Sequence, residues 1–246
     1  MTESAFASGL TDPAPALVEA LRAELAAAAD PAKAEPMRAY MKSSMPYLGV
    51  AMPAVRRICR RVATEHPLRS FDKWRATILT LWREATHREQ RYAAIELAGD
   101  RRYRAYQTLD ALPLYEEMIV TGAWWDYVDA VASLVGALLD AYPQPMRAAM
   151  LAWSRDTVLW KRRVAIISQR HRGAATDEAL LFACITPNLT DPDFFIRKGI
   201  GWALRQYARV APEAVRRYVR EHADAISPLS RREALKHLAL PGGDAS

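Results

Sequence analysis

Arg163-Val-Ala-Ile-Ile167 decides the fold, because the chain keeps returning to the same pattern. Arg91-Tyr-Ala-Ala-Ile-Glu-Leu97 and Tyr127-Val-Asp-Ala-Val131 precede it; Lys198-Gly-Ile-Gly-Trp202 and Arg232-Glu-Ala-Leu-Lys236 follow it. The five segments begin 36, 36, 35 and 34 residues apart, and four of them open on a basic residue before small and apolar ones. No stretch alternates apolar and polar residues over six positions between turn signals, so strands are not expected. A period of this length in a helical chain means stacked helix pairs. One pair cannot bury its apolar face alone, so its neighbours complete the core. The expected architecture is all-α, a curved superhelix whose concave groove is lined by the second helix of each pair. The period by itself describes a protein-binding scaffold equally well.

Helix boundaries can be read outward from these segments. Asp30-Pro31, Asp191-Pro192 and Ser227-Pro228 each place a capping side chain before a first-turn proline. Thr86-His-Arg-Glu89 reads as a capping box opening a helix through Leu97. Ala51-Met52-Pro53 predicts another start, without a polar cap. These signals predict about a dozen helices of roughly 10–18 residues. They form one repeat domain over residues 13–241, between frayed tails at 1–12 and 242–246.

Composition bounds the function. The chain has 246 residues, 51% of them hydrophobic and only 10 of them glycine, enough apolar surface for a large helical core. Cys59 and Cys184 lack a CxxC partner and predict two reduced thiols, hence a cytosolic protein. No apolar run approaches the ~20 residues that span a bilayer, and Met1 to Pro13 lacks the basic-then-apolar order of a signal peptide. The expected location is the cytoplasm, at the nucleoid if the source is bacterial, with no membrane partner. The net charge of +6 is unevenly placed. Residues 1–146 carry 17 Lys and Arg against 18 Asp and Glu, a net of −1; residues 147–237 carry 17 against 9, a net of +8. An arginine-rich half is the footprint of a polyanion partner, although a charge of this size also serves solubility.

The segment most unlike a plain core helix is Thr121-Gly-Ala-Trp-Trp-Asp-Tyr-Val-Asp129. On a helix Trp125 and Asp129 are i and i+4 and share a face, while Trp124, Val128, Val131 and Ala132 supply a core seam. Asp126 is a first-turn acid that complements the helix dipole. Asp129 has no such explanation. A carboxylate beside an indole face can hold a cation or stabilise developing positive charge; the plainer alternative is a buried Asp satisfied by a neighbouring Arg. Arg162 and Arg163, in Leu159-Trp-Lys-Arg-Arg-Val-Ala-Ile166, can reach a phosphate or pair with Asp129. Exact superposition of the repeats turns Asp129 and Arg163 to different sides, and a two-residue shift reunites them. Gly199 and Gly201 interrupt a helix at a cost of roughly 1 kcal/mol each. They allow close approach by a neighbouring helix or a nucleic-acid backbone. Trp202 either packs in the core or stands in the groove. The five histidines are scattered without metal-ligand spacing, and neither a GxSxG elbow nor a P-loop occurs.

Several blocks in one order resemble the DNA alkylation repair enzyme family, the HEAT-like-repeat alkylpurine DNA glycosylases of AlkD type. They are Glu35-Pro-Met-Arg-Ala-Tyr-Met-Lys42, Pro46-Tyr-Leu-Gly49, Trp124-Trp-Asp-Tyr-Val-Asp129, Trp160-Lys-Arg-Arg-Val-Ala-Ile166, Phe194 to Arg205, and Pro228-Leu-Ser-Arg-Arg-Glu-Ala-Leu-Lys-His237. The resemblance runs from about Glu35 to Leu238 and implies HEAT-like repeats with a basic concave groove. It implies that Asp129 is the catalytic acid, that Trp125 and Trp202 flank the damaged nucleotide, and that Arg163 is the essential arginine. Arg162 and Lys198 are expected as further DNA-binding cations, and Tyr40 as a site member. The implied activity is hydrolysis of the N-glycosidic bond of N3- or N7-alkylated purines in duplex DNA without base flipping. The enzyme would be a monofunctional glycosylase working as a monomer, with no metal, organic cofactor or obligate protein partner. The rival expectation is a non-catalytic repeat protein that binds lesions or scaffolds a protein.

Overall fold

The computed structural model describes residues 12–238. Among them are thirteen α-helices, four short 3-10 helices and no strand. The expected tails lie almost wholly outside the described residues, only residue 12 falling within them. The described residues divide into two compact units, 12–114 and 115–238.

The first unit contains α1 (Pro15–Ala27), α2 (Pro31–Met41), α3 (Met52–Glu65), α4 (Phe71–Arg83) and α5 (Arg88–Ala98). Leu17 and Leu21 of α1, Val55 and Val62 of α3, Trp74, Ile78 and Leu81 of α4, and Leu97 of α5 are fully buried and make its core. Burying each such side chain contributes about 1.5–3 kcal/mol. Asp30 caps α2 ahead of Pro31, and α3 starts at Met52 behind Ala51, which offers no side-chain cap, both as the sequence predicts. The capping box at Thr86 does not form. The helix starts one residue later behind His87, and the buried Glu89 accepts instead from the amides of Leu48, Gly49 and Val50. Three amides of a distant loop outcompete one local amide for a carboxylate; Gln90 accepts the Thr86 N–H in its place.

The division between the units falls inside α6 (Leu112–Gly122). The second unit continues with α7 (Trp125–Ala141), α8 (Pro143–Trp153), α9 (Leu159–Ile167), α10 (Glu178–Ile185), α11 (Phe194–Tyr207), α12 (Pro212–Glu221) and α13 (Pro228–Leu235). The periodic segments of the sequence fall on α5 of the first unit and on α7, α9, α11 and α13, every second helix of the second unit. Here α7 packs on α9, α9 on α11 and α11 on α13, while α8 and α10 pack behind α9. This is a helical-repeat fold. Val128, Val131, Ala132 and Val135 of α7, Val164 and Ile166 of α9, and Ile196, Ile200 and Leu204 of α11 are all closed to solvent. Ser227 caps α13 before Pro228 as expected. The start of α11 differs from the expectation: Asp193, not Asp191, accepts from the amides of Phe195 and Ile196. Asp191 is drawn off to bind the Asp193 amide and Arg162.

Candidate functional site

The tryptophan block sorts residue by residue once it is folded. Ala123 has a positive φ of 42°, a left-handed conformation that costs an L-residue roughly 1 kcal/mol. It turns the chain sharply from α6 into α7. Trp124 follows in extended conformation at the N-cap and packs on Trp160 of α9 and edge-on against Phe195 of α11, with ring centres 6.4 and 5.5 Å away. Three helix starts are pinned together by this cluster. Tyr127 and Val128 enter the core. Asp126 sits in the first turn. That leaves half-buried Trp125 and, one turn on, Asp129 on the same face of α7.

Asp129 meets Arg163 edge to edge. Nε donates to Oδ1 and Nη2 to Oδ2, both at 2.8 Å. The two side chains retain 14% and 6% exposure, so the pair is nearly dry. Nη1 of Arg163 donates to the carbonyl of Phe195, which locks the fork on its second side. A bidentate pair of this kind is strong and directional. Of the two tasks the sequence left open for Arg163, the ion pair is the one its donors perform.

A second arginine closes the site. Arg170, two turns beyond Arg163, sends Nη2 to the backbone carbonyl of Asp129 and to Ser133 Oγ, the latter at 2.7 Å. Its guanidinium lies 5.1 Å from the ring centre of Trp202 on α11. Burial pushes the Arg170 pKa down, against the opposing pull of Asp129 and with a smaller push from Arg163. The cluster therefore carries two cations around one carboxylate.

Gly199 lies on the α11 face that meets Arg163; a Cβ there would stand 3.2 Å from Nη1. Gly201 faces the other way, and its Cβ would come within 2.5 Å of Glu233 Cβ and 3.1 Å of the Ser230 carbonyl on α13. Both glycines admit a neighbouring helix. Lys198, 40% exposed and one turn from Trp202, pairs with Glu233 at 3.3 Å, as does Arg205 at 2.9 Å. Burial pushes the Glu233 carboxyl up, but Lys198 and Arg205 outweigh it and hold the carboxyl below its ordinary range.

Asp129, Arg163 and Trp202 are thus brought into one cluster, with Trp125 and Lys198 on its helices. Arg162, about 100° round α9 from Arg163, donates to the carbonyls of Asp156 and Thr157 and to Asp191, where it clamps a loop. Tyr40 lies on α2 of the first unit and is 77% exposed. Sequence reasoning missed Arg170 and Ser133. Their signal was spacing: Ser133 is i+4 from Asp129 and Arg170 is i+7 from Arg163, each on its partner's face. A cavity of about 240 Å³ borders Arg170, His171, Gln206 and Arg209, but no carboxylate lines it, so it cannot do the chemistry open to Asp129. Among the described residues no three His, Cys, Asp or Glu side chains converge as a metal-ligand set, and no helix is long and apolar enough to cross a membrane.

A family model described as DNA alkylation repair enzyme matches residues 21–238. A solved structure described as a predicted DNA alkylation repair enzyme from Enterococcus faecalis is similar, with a TM-score of 0.78 and 29% sequence identity. The match covers 86% of this chain and 97% of that one. No curated protein sequence matches.

Proposed function

Because the chain belongs to the DNA alkylation repair enzyme family, and so serves the repair of alkylated DNA, we propose that it hydrolyses the N-glycosidic bond of cationic N3- and N7-alkylated purines. In this reading it is a cytoplasmic, monomeric, HEAT-like-repeat glycosylase that acts on duplex DNA without flipping the base. The observation that carries the reading is the Asp129 carboxylate, held edge-on by Arg163, with Trp125 one turn before it on α7 and Trp202 joined to its backbone through Arg170.

Alkylation at N3 or N7 places a positive charge on the purine, so the base leaves without being protonated. The C1′–N bond breaks with its electron pair going to the purine, which departs neutral. The positive charge passes to the sugar as an oxocarbenium ion. A preorganised carboxylate in a nearly dry site stabilises that charge. Water then adds to C1′, and its proton goes to Asp129 or to solvent. Trp125 and Trp202 offer indole faces to the cationic sugar. Arg163 keeps the carboxylate aimed while leaving each oxygen with lone pairs to spare. Lys198 remains available to a phosphate by exchanging Glu233 for it.

Schiff-base chemistry needs a neutral lysine, and none lies in the tryptophan block. Burial lowers the pKa of Lys161, but Asp156 and Glu116 outweigh it and hold the amine charged. This supports hydrolysis without strand cleavage. The test is release of 7-methylguanine from a methylated duplex. Asp129→Asn is expected to slow release by about 10²–10³, while circular dichroism and affinity for unmodified duplex stay near wild type. Release by this variant at the wild-type rate would remove Asp129 from catalysis. A wild-type chain that binds the lesion and releases no base belongs to recognition without cleavage.

A further inference from the structure

We propose that Arg170 is a positioning residue, which sets the Trp202 indole against the Asp129 backbone and so fixes the spacing between carboxylate and aromatic wall. The inference rests on the glycosylase reading of the same site.

An arginine just past the end of α9 has an ordinary task, which is to satisfy the last carbonyls of its own helix. Arg170 barely does so: its contact with the Ile167 carbonyl is 3.5 Å long. Its close bonds go to α7 instead, to the Asp129 carbonyl and Ser133 Oγ. Its guanidinium carbon lies over the Trp202 ring on α11. Groups from α7, from α11 and from the turn after α9 therefore meet at a single guanidinium. Guanidinium is suited to this because its edge donates while its face stacks, and the compact ammonium of lysine cannot do both. The burial is costly, since the charge is disfavoured there and Nε finds no hydrogen-bond partner. A solubility charge would not sit in such a place. Without the clamp, Trp202 has no polar tether to α7, and small displacements at a reacting centre cost large factors in rate.

The experiment uses the full chain with Arg170→Lys, Arg170→Met, Trp202→Ala and the double variant Arg170→Met/Trp202→Ala. Single-turnover release of 7-methylguanine is measured at saturating enzyme, and affinity is measured on unmodified duplex. Both Arg170 variants are expected to slow release by about tenfold or more, with affinity changed by no more than about twofold. The double variant should be no slower than Trp202→Ala, since the two residues act as one unit. Release by Arg170→Lys at the wild-type rate, or additive losses in the double variant, overturns the proposal. Should Arg170→Met not fold, Arg170→Lys, which keeps the charge, decides alone. If wild-type protein releases no base, the glycosylase reading fails by itself. The tether is then read from the NMR signal of the Trp202 indole N–H, assigned with Trp202→Phe. A signal shifted by Arg170→Lys upholds the tether, and an unmoved one refutes it.

Discussion

Arg163 shows most directly how much of this site depends on single side chains. Its three nitrogens are committed to Asp129 and to the Phe195 carbonyl, and its side chain is almost fully buried. Replacing it with methionine keeps the volume but leaves a nearly dry carboxylate and a carbonyl without their donor. Breaking a buried pair from one side costs about 3 kcal/mol or more, so Arg163→Met should lower the midpoint of urea unfolding by that equivalent. An unchanged midpoint would mean that the pair is far wetter than its exposure indicates. Asp129 was legible as unusual because an acid in an otherwise apolar helical run lacks a local reason. Its partner was legible only as one of two arginines. Arg162 and Arg163 are adjacent in sequence, yet one clamps a surface loop and the other reaches the carboxylate; only the rotation of α9 about its axis separates them.

Between elements, the deciding variable is how closely α11 approaches its neighbours. Gly201 lets the backbone of α13 come within van der Waals distance, whereas Gly199 faces the tip of a long side chain. Alanine favours a helix over glycine by roughly 1 kcal/mol at either place, but the space differs. Gly201→Ala must push α13 away and is expected to destabilise by about 1–3 kcal/mol. Gly199→Ala need only move the Arg163 guanidinium by a few tenths of an ångström. Stability should therefore be nearly unchanged, while base release slows. Thermal unfolding and release assays on both variants check the contrast, which fails if the two behave alike. The two glycines were legible as close-approach points, and the choice of helices over nucleic acid as their neighbours came from the packing. The capping signals before α2 and α13 held because their bonds are local; those at Thr86 and Asp191 failed because distant amides and an arginine claimed the same carboxylates.

Across the whole molecule, charge and thiols offer two independent checks. The arginine-rich stretch with its net of +8 predicts that duplex affinity falls with salt at a log–log slope of roughly −3 to −6, as release of counterions from phosphates requires. A flat response would leave the polyanion partner without support. Cys59 lies in the first compact unit and Cys184 in the second. Both are buried, and burial pushes each thiol up to about 12 from the ordinary 9.0. A rise of that size cuts the reactive thiolate fraction about a thousandfold. Neither cysteine should react with Ellman's reagent in the native protein, and each should become reactive as its own unit opens in denaturant. Rapid labelling of either in buffer would contradict its burial. The sequence by itself determined the helices, their period and the apolar seam of α7 through Val128, Val131 and Ala132, because those follow from apolar spacing along a 3.6-residue turn and from bonds between near neighbours. The tertiary structure alone decided which arginine meets Asp129, which carboxylates leave their helix ends, and that Arg170 joins Trp202 to the site. Long charged side chains have many partners within reach, and the choice among them depends on the rotation and separation of helices some 34 residues apart, a distance over which residue spacing carries no angular information.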